Sequence, residues 1–274
     1  MRTVLLRELA TARRALAGDR TISDAHIHAA RKALKRARAA LRLLRRDLGR
    51  VYVRENAALR KAARPLSELR DMKVLLDSVQ RLRAGDERNS TVLREFQEAL
   101  RKERRELLGQ LKRPSPILDD TTGVLNAAAR RISRARLRDD APLLFKSLAR
   151  VYRRGRKAVR RAMRDPSNEK LHEARKQVKY TGAALAICAD MNVGGLQELI
   201  ESADKAGELL GDGHDLAILQ DRLESLPADC AKPVSALTSQ LTRSRKELAK
   251  RAIKHGRRLY RRRPRAFARR VASG

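Results

Sequence analysis

The chain has 274 residues, of which 65 are Lys or Arg and 32 are Asp or Glu, so its formal net charge is +33. A charge this far from zero predicts a polyanionic partner: a nucleic acid, an anionic membrane surface or a polymeric phosphate. Aromatic residues make up only 3% of the chain and tryptophan is absent, which argues against a protein that stacks the bases of single-stranded nucleic acid.

Apolar residues recur at steps of three and four along most of the chain, which is typical of amphipathic helices. No segment shows the alternation of a strand, so the predicted fold class is all-α. In the first half we expect helices at 3–17, 27–48, 52–63, 65–82, 91–111 and 122–138. In the second half we expect them at 142–163, 172–189, 195–210, 214–226 and 233–260. Pro65 predicts a break or kink between two helices, and the glycines at 211–213 predict a turn.

Helix starts, cysteines and hydropathy complete this outline. Ser23 is the expected cap of the second helix, and Ser167 or Asn168 that of its later counterpart. The two cysteines, Cys188 and Cys230, give no disulfide framework and predict reduced thiols. No apolar run approaches the roughly 18 residues needed to span a bilayer. The predicted location is the cytoplasm, without membrane insertion.

Two similar basic phrases lie 144 positions apart in the chain. The first runs from His28 through Arg31 and Lys32, and the second opens with His172. Asp71 and Asp215 are separated by the same interval. A fixed offset between two pairs of features indicates an internal duplication. We therefore expect two helical repeats, 1–140 and 141–274, with a boundary near 139–142, which together form one domain.

Each phrase places cations on one helical face beside the apolar stripe. Arg31, Lys32, Lys35 and Arg42 follow His28 in the first phrase, and Arg175, Lys176 and Lys179 follow His172 in the second. A single Lys or Arg here is consistent with a solvated surface. Like charges at helical neighbour spacing, however, destabilise a helix unless an anion compensates them. The repeated set therefore predicts a duplicated polyanion-binding surface.

Other kinds of site find little support in the sequence. The five histidines lack Cys or carboxylate partners at ligand spacing, which excludes a metal site. The sequence has no phosphate loop, nucleophile elbow or paired-carboxylate motif. Asp71 and Asp215 are expected to cap helices and to orient neighbouring cations. Clustered cations should favour the neutral imidazole of His28 and His172 in the free protein.

Several of these segments together resemble the CHAD (conserved histidine α-helical) domain family, over about residues 3–270. The resemblance rests on the two phrases, on 55–71 ending in Leu69-Arg70-Asp71, on 152–156, and on 259–268. It implies two four-helix bundles related by a pseudo-two-fold axis. It also implies a basic channel between the bundles that binds inorganic polyphosphate without hydrolysing it. No catalytic residue and no cofactor is expected, and polyphosphate granules are a candidate location.

Carried over by position, the resemblance assigns residues to both walls of the channel. One wall would comprise His28, Arg31, Lys32, Lys35, Arg38 and Arg42, the other His172, Arg175, Lys176 and Lys179, with Lys61, Arg64, Arg70, Lys205 and His214 extending them. Gly182 stands where the first copy has Arg38, and Tyr180 where it has Arg36. The second wall should therefore be less cationic. The alternatives are an RNA-binding protein, an enzyme acting on phosphate polymers, and a scaffold solubilised by its basic faces.

Overall fold

The computed structural model describes residues 1–17, 22–85, 90–138, 141–226 and 231–272. Within these ranges the secondary structure is helical and contains no strand, which confirms the predicted all-α class. Part of the expected repeat boundary, 139–140, lies outside the described residues, as does Cys230.

The described helices follow each other with short connections. The first half contains α1 (Arg2–Leu16), α2 (Asp24–Leu43), α3 (Arg45–Leu48), α4 (Arg50–Ala62), α5 (Arg64–Gly85), α6 (Ser90–Gln110) and α7 (Pro116–Arg134). The second half contains α8 (Ala141–Arg164), α9 (Asn168–Ala189), α10 (Gln197–Glu224), α11 (Ala231–Leu259) and α12 (Pro264–Ala272). The first residue of α9 lies 144 positions after that of α2, the interval found between the basic phrases.

Most predicted helices are present, and the differences have local causes. The break before Pro65 is confirmed, because α4 ends at Ala62 and α5 begins at Arg64. The predicted turn at 211–213 is wrong, since α10 runs through it. A Cβ on Gly211 would make only ordinary contact, at 3.6 Å from Lys179 Nζ, and a regular helix continues through this glycine. The terminal helix α12 was not predicted.

Helix ends also test the predicted caps. Ser23 accepts a hydrogen bond from the backbone N–H of His26 at 3.2 Å, as expected for the cap of α2. Ser167 occupies the N-cap position of α9 but makes no capping bond with its side chain. The capping role expected for Asp71 and Asp215 is wrong, because both lie in the interior of long helices, α5 and α10.

Four helices of the first half pack around a common core. The packed pairs are α1 with α2, α1 with α7, α4 with α7, and α2 with α4. Glu55 of α4 is fully buried, and its carboxylate accepts hydrogen bonds from Arg131 of α7 at 2.7 and 2.8 Å. In the second half, α8 packs on α9 and α12, and α9 packs on α10.

The two halves share their hydrophobic interior. One cluster of buried side chains includes Leu5 of α1, Leu41 of α2, Leu185 of α9 and Val271 of α12. A second cluster joins the hairpin of α5 and α6 to the hairpin of α10 and α11. The helices α2 and α9, which carry the basic phrases, contact each other directly. This packing brings the two basic phrases into one region of the molecule. The pseudo-two-fold relation itself stays a prediction.

Candidate functional site

A cleft of about 590 Å³ lies between α2 and α9. Its lining includes nine predicted site residues: Arg31, Lys32, Lys35, Arg38, Arg42, His172, Arg175, Lys176 and Lys179. On both helices these cations lie on a face beside the buried apolar stripe, which Leu34 and Leu41 mark on α2 and Val178 and Leu185 on α9. The apolar stripe read from the sequence therefore fixes the orientation of the basic face.

Two pairs of cations interact electrostatically across the two helices, in the part of the cleft that we call its centre. Arg31 lies near Arg175, and Lys35 lies near Lys179. Arg31 Nη1 and Arg175 Nε are buried without a hydrogen-bond partner. Buried donors of this kind are costly unless an acceptor is supplied. The centre of the cleft therefore favours an anion that accepts these hydrogen bonds.

The same crowding changes the acidity of the cluster. Burial, then the nearby charges of Arg175 and Lys35, lowers the pKa of Lys179 to about 8. Burial also lowers the pKa of Lys35, together with the charges of Arg31 and Arg175. Lowered pKa values mean that, in the free protein, nearby negative charges and hydrogen bonds do not offset the cost of burying these ammonium groups beside other cations.

Two carboxylates lie in the same cluster but do not neutralise it. Burial raises the pKa of Asp71, although the charges of Arg31 and Arg175 oppose this shift. Burial likewise raises the pKa of Asp215, and the neighbouring Asp71 adds to the effect. Asp71 favours the charged form of Arg31, and its role in orienting neighbouring cations stays a prediction. The cluster nevertheless retains an excess of cations.

At the far end of the cleft, arginines of α2 are held in place by neutral groups. Arg42 lies over the ring of Tyr180 at 3.5 Å from its centroid and donates to the carbonyl oxygen of Arg38 at 3.0 Å. Arg38 donates to Asn56 Oδ1 at 3.3 Å. None of these three contacts involves a carboxylate. The positive charges of Arg38 and Arg42 are therefore not neutralised by an acidic group and are available to a bound anion. Tyr180 and Asn56 were not predicted as site residues, since no charge pattern marks them.

The wall formed by the second half carries fewer free cations. Lys176 is ion-paired with Glu173. Asp204 and Glu208 of α10 also line the cleft, and they were not predicted. Asp204 is largely exposed, but its partial burial, then the charge of Glu208, raises its pKa. Gly182 occupies the position equivalent to Arg38, and a Cβ there would lie only 3.1 Å from Ala203 Cβ.

Four predicted residues lie away from the cleft lining. His28 and Lys61 are exposed. Arg64 has a 79% exposed side chain and donates to Glu68 at 2.8 Å. Lys205 lies 3.4 Å from Glu208 and lines a separate groove with His255 and Arg258. The sequence could not distinguish these cations from those of the cleft, because neighbouring positions on one helix point in different directions.

Arg70 and His214 adjoin the central cluster from α5 and α10. Arg70 Nη1 is buried without a hydrogen-bond partner, and the charge of Arg70 acts on both Arg31 and Asp71. The ring of His214 lies 4.8 Å from that of His172. Burial, then the charge of Arg175, lowers the pKa of His214 to about 4 and lowers that of His172. Both imidazoles are therefore mostly neutral near pH 7, as expected for His172.

The described part of the chain shows no group of three or more His, Cys, Asp or Glu side chains arranged to hold a metal ion. Among the helices that the structure describes, none is both long and apolar enough to cross a membrane.

Comparison with known proteins identifies the family. The family model of the CHAD domain matches residues 3–224. No curated protein matches the sequence. The crystal structure of the CHAD domain from the plant Ricinus communis is similar, with a TM-score of 0.62 and 17% sequence identity, over 98% of this chain and 88% of that chain. That likeness extends over α11 and α12, which lie beyond the residues that the family model matches. The chain belongs to the CHAD domain family.

Proposed function

We propose that this protein binds inorganic polyphosphate in the cleft between α2 and α9 and does not hydrolyse it. The observation that carries the proposal is the uncompensated positive charge at the cleft centre. Arg31 and Arg175 each hold a buried guanidinium nitrogen without a partner, and the pKa of Lys179 is lowered to about 8. A bound polyanion would supply the missing acceptors and the missing negative charge.

The arrangement of the cations suits a linear phosphate polymer. Arg31, Lys35, Arg38 and Arg42 recur at steps of three and four along α2, and the first and last are about 16 Å apart along the helix at about 1.5 Å per residue. This row is long enough to contact several phosphates in succession. Arginine provides paired donors to phosphate oxygens, and lysine acts as a point charge.

RNA is the alternative polyanion, and the cleft favours it less. Tyr180 contributes a ring to the lining, but the guanidinium group of Arg42 covers one face of that ring at 3.5 Å. Single-stranded RNA is bound mainly by stacking of its bases on exposed aromatic rings. A phosphate polymer has no bases and needs only charge and hydrogen-bond donors.

The direct test is competition between polyphosphate of defined length and a single-stranded RNA of equal charge. We expect polyphosphate to displace labelled RNA at equal concentrations of charge, whereas RNA should displace labelled polyphosphate poorly. The double variant Arg31→Ala and Arg175→Ala should lose most of the polyphosphate affinity. The double variant Arg160→Ala and Arg161→Ala removes the same charge from exposed positions on α8 and should bind almost as well as the unmodified protein.

Two results would contradict the proposal. Equal losses in the two double variants would mean that only net charge matters and that the cleft is not the site. Release of inorganic phosphate from polyphosphate over hours, abolished by the cleft variant, would mean that the protein is an enzyme.

If the proposal holds in solution, polyphosphate granules are the place in the cytoplasm where the protein should accumulate, which fluorescence microscopy of a labelled copy would show.

A further inference from the structure

A second cavity, of about 420 Å³, lies beside the cleft, between the start of α9 and the facing sides of α10 and α11. Its walls are largely apolar and include Leu171, Leu209, Leu210, Ala249 and Ile253. Its volume falls within the roughly 300–1,000 Å³ typical of small-molecule sites. His172 lines both this cavity and the cleft, so the two spaces adjoin at one imidazole.

The polar groups of this second cavity are basic. Arg245, Lys246 and Lys250 lie in the lining, and none of the described lining residues is acidic. Arg245 is held by neutral amides: it donates to Gln220 Oε1 at 2.6 Å and to Asn168 Oδ1. Because these partners carry no charge, the guanidinium group is positioned without being neutralised. The cavity thus combines an apolar interior with a fixed, uncompensated cation.

The other half of the chain does not have the small side chains that leave this space. The positions 144 residues earlier carry Leu69 for Gly213, Lys73 for Ala217 and Arg105 for Ala249. Leu69 is only 2% exposed and packs in the core of the first half, whereas Gly213 lines a cavity in the second. The second half thus differs from the first in the residues that form the wall.

The basic groups, in contrast, are present in both halves. Arg101 and Lys102 stand 144 positions before Arg245 and Lys246. The second half thus has an apolar cavity beside its copy of these cations. A ligand of polyphosphate type would not use it, because a phosphate chain has no apolar part.

We infer that this second cavity binds a small amphipathic anion, with its apolar body against Leu209, Leu210 and Ile253 and its anionic head at Arg245 and Lys246. The apolar body is buried as in other hydrophobic pockets, and the head lies where positive charge is unopposed. This inference does not rest on polyphosphate binding, since the cations that hold the head are not those of the central cleft cluster.

The experiment uses octyl phosphate as the probe, titrated calorimetrically into the whole protein below its micelle concentration. One saturable site is expected. Octanol carries only the apolar part of the probe and inorganic phosphate only its anionic part, so each should bind at least tenfold more weakly than octyl phosphate. The variant Gly213→Leu, which introduces the residue of the first half, should weaken octyl phosphate at least tenfold. Lys246→Ala should weaken octyl phosphate severalfold and leave octanol unchanged.

The control for Gly213→Leu is Gly109→Leu, at an exposed glycine inside α6, which should leave octyl phosphate binding unchanged. Ala217→Leu provides a second way to fill the cavity, and circular dichroism establishes that each variant is folded. Polyphosphate affinity should be the same in the filled variants as in the unmodified protein. The inference is overturned if octyl phosphate shows no saturable binding at millimolar concentration. It is also overturned if binding survives both filled variants, or is lost instead with Arg31→Ala and Arg175→Ala, which would place the probe in the cleft.

Discussion

The two walls of the cleft descend from similar sequences but differ in charge. The wall on α2 carries Arg31, Lys35, Arg38 and Arg42, whereas α9 carries Arg175 and Lys179 and has Gly182 and Ala186 at the last two equivalent positions. On the second wall Lys176 is paired with Glu173. The comparison shows that the same basic phrase can form surfaces that differ in positive charge, depending on which helix packs beside it.

The packing of α10 against α9 explains much of this difference. A Cβ on Gly182 would lie 3.1 Å from Ala203 Cβ, so α10 leaves no room for an arginine there. The same approach brings Asp204 and Glu208 into the cleft. In the first half the residues equivalent to these two acids are Arg60 and Arg64, and neither lines the cleft. The second wall thus lacks one arginine and gains two carboxylates where α10 packs closely against α9.

Removal of three cations from each wall in turn should give the largest effect. Arg31→Ala, Lys32→Ala and Lys35→Ala together should weaken polyphosphate binding by about 100-fold or more, since a hydrogen bond to a charged group contributes about 1.5–3 kcal/mol. The matched change at 175, 176 and 179 should cost less, because Lys176 is already paired. Helicity by circular dichroism should be retained in both triple variants. An equal or greater loss on the α9 wall would refute the ranking of the walls.

The pH dependence should sharpen the comparison at Lys179. Its pKa is lowered to about 8 in the free protein, and a bound polyanion should raise it. The complex then holds more protons than the free protein above pH 8, so affinity should fall as pH rises from about 8 to 10, by up to about tenfold per pH unit. Lys179→Arg should flatten this part of the profile. A slope that persists unchanged in that variant would assign the proton to another group.

Neutralising the acids of the second wall should make the walls more alike. Glu208→Gln and Asp204→Asn should each tighten polyphosphate binding severalfold, and the effect should stay below about 1 kcal/mol because both side chains are exposed. Glu201→Gln, at an exposed position of α10 outside the cleft lining, is the control for the loss of one negative charge. If all three variants gained equally, the position of the acids in the cleft would be irrelevant.

The smallest effect is expected at Tyr180. Its ring holds Arg42 at 3.5 Å, and a cation–π contact at a partly exposed site contributes about 0.5–1 kcal/mol. Tyr180→Leu should therefore weaken binding a few-fold, and Tyr180→Phe should preserve it. A loss in the phenylalanine variant equal to that in the leucine variant would mean that the hydroxyl group, not the ring, is what the site requires.

Periodicity predicted the helices well where one face is buried throughout, as in α2 and α9. It failed at 211–213, because glycines in the interior of a helix cannot be told from glycines that form a turn by sequence alone. The offset of 144 pointed to Arg31, Lys35, Arg175 and Lys179, and all four line the cleft. It could not exclude Arg64 and Lys205, whose directions depend on packing, nor find Asp204 and Glu208, which reach the cleft only because α10 approaches α9.

The salt dependence of polyphosphate binding tests the central claim most directly. Calorimetric titration of the protein with one polyphosphate length, at several salt concentrations, gives the slope of the logarithm of the affinity against the logarithm of salt. Phosphate contacts release counterions, with a slope of about −0.7 to −0.9 per contact for nucleic acids. We expect a steep negative slope that becomes clearly shallower when Arg31 and Arg175 are both replaced by alanine. A slope near zero, or one that this replacement leaves unchanged, would contradict polyphosphate binding through the cleft.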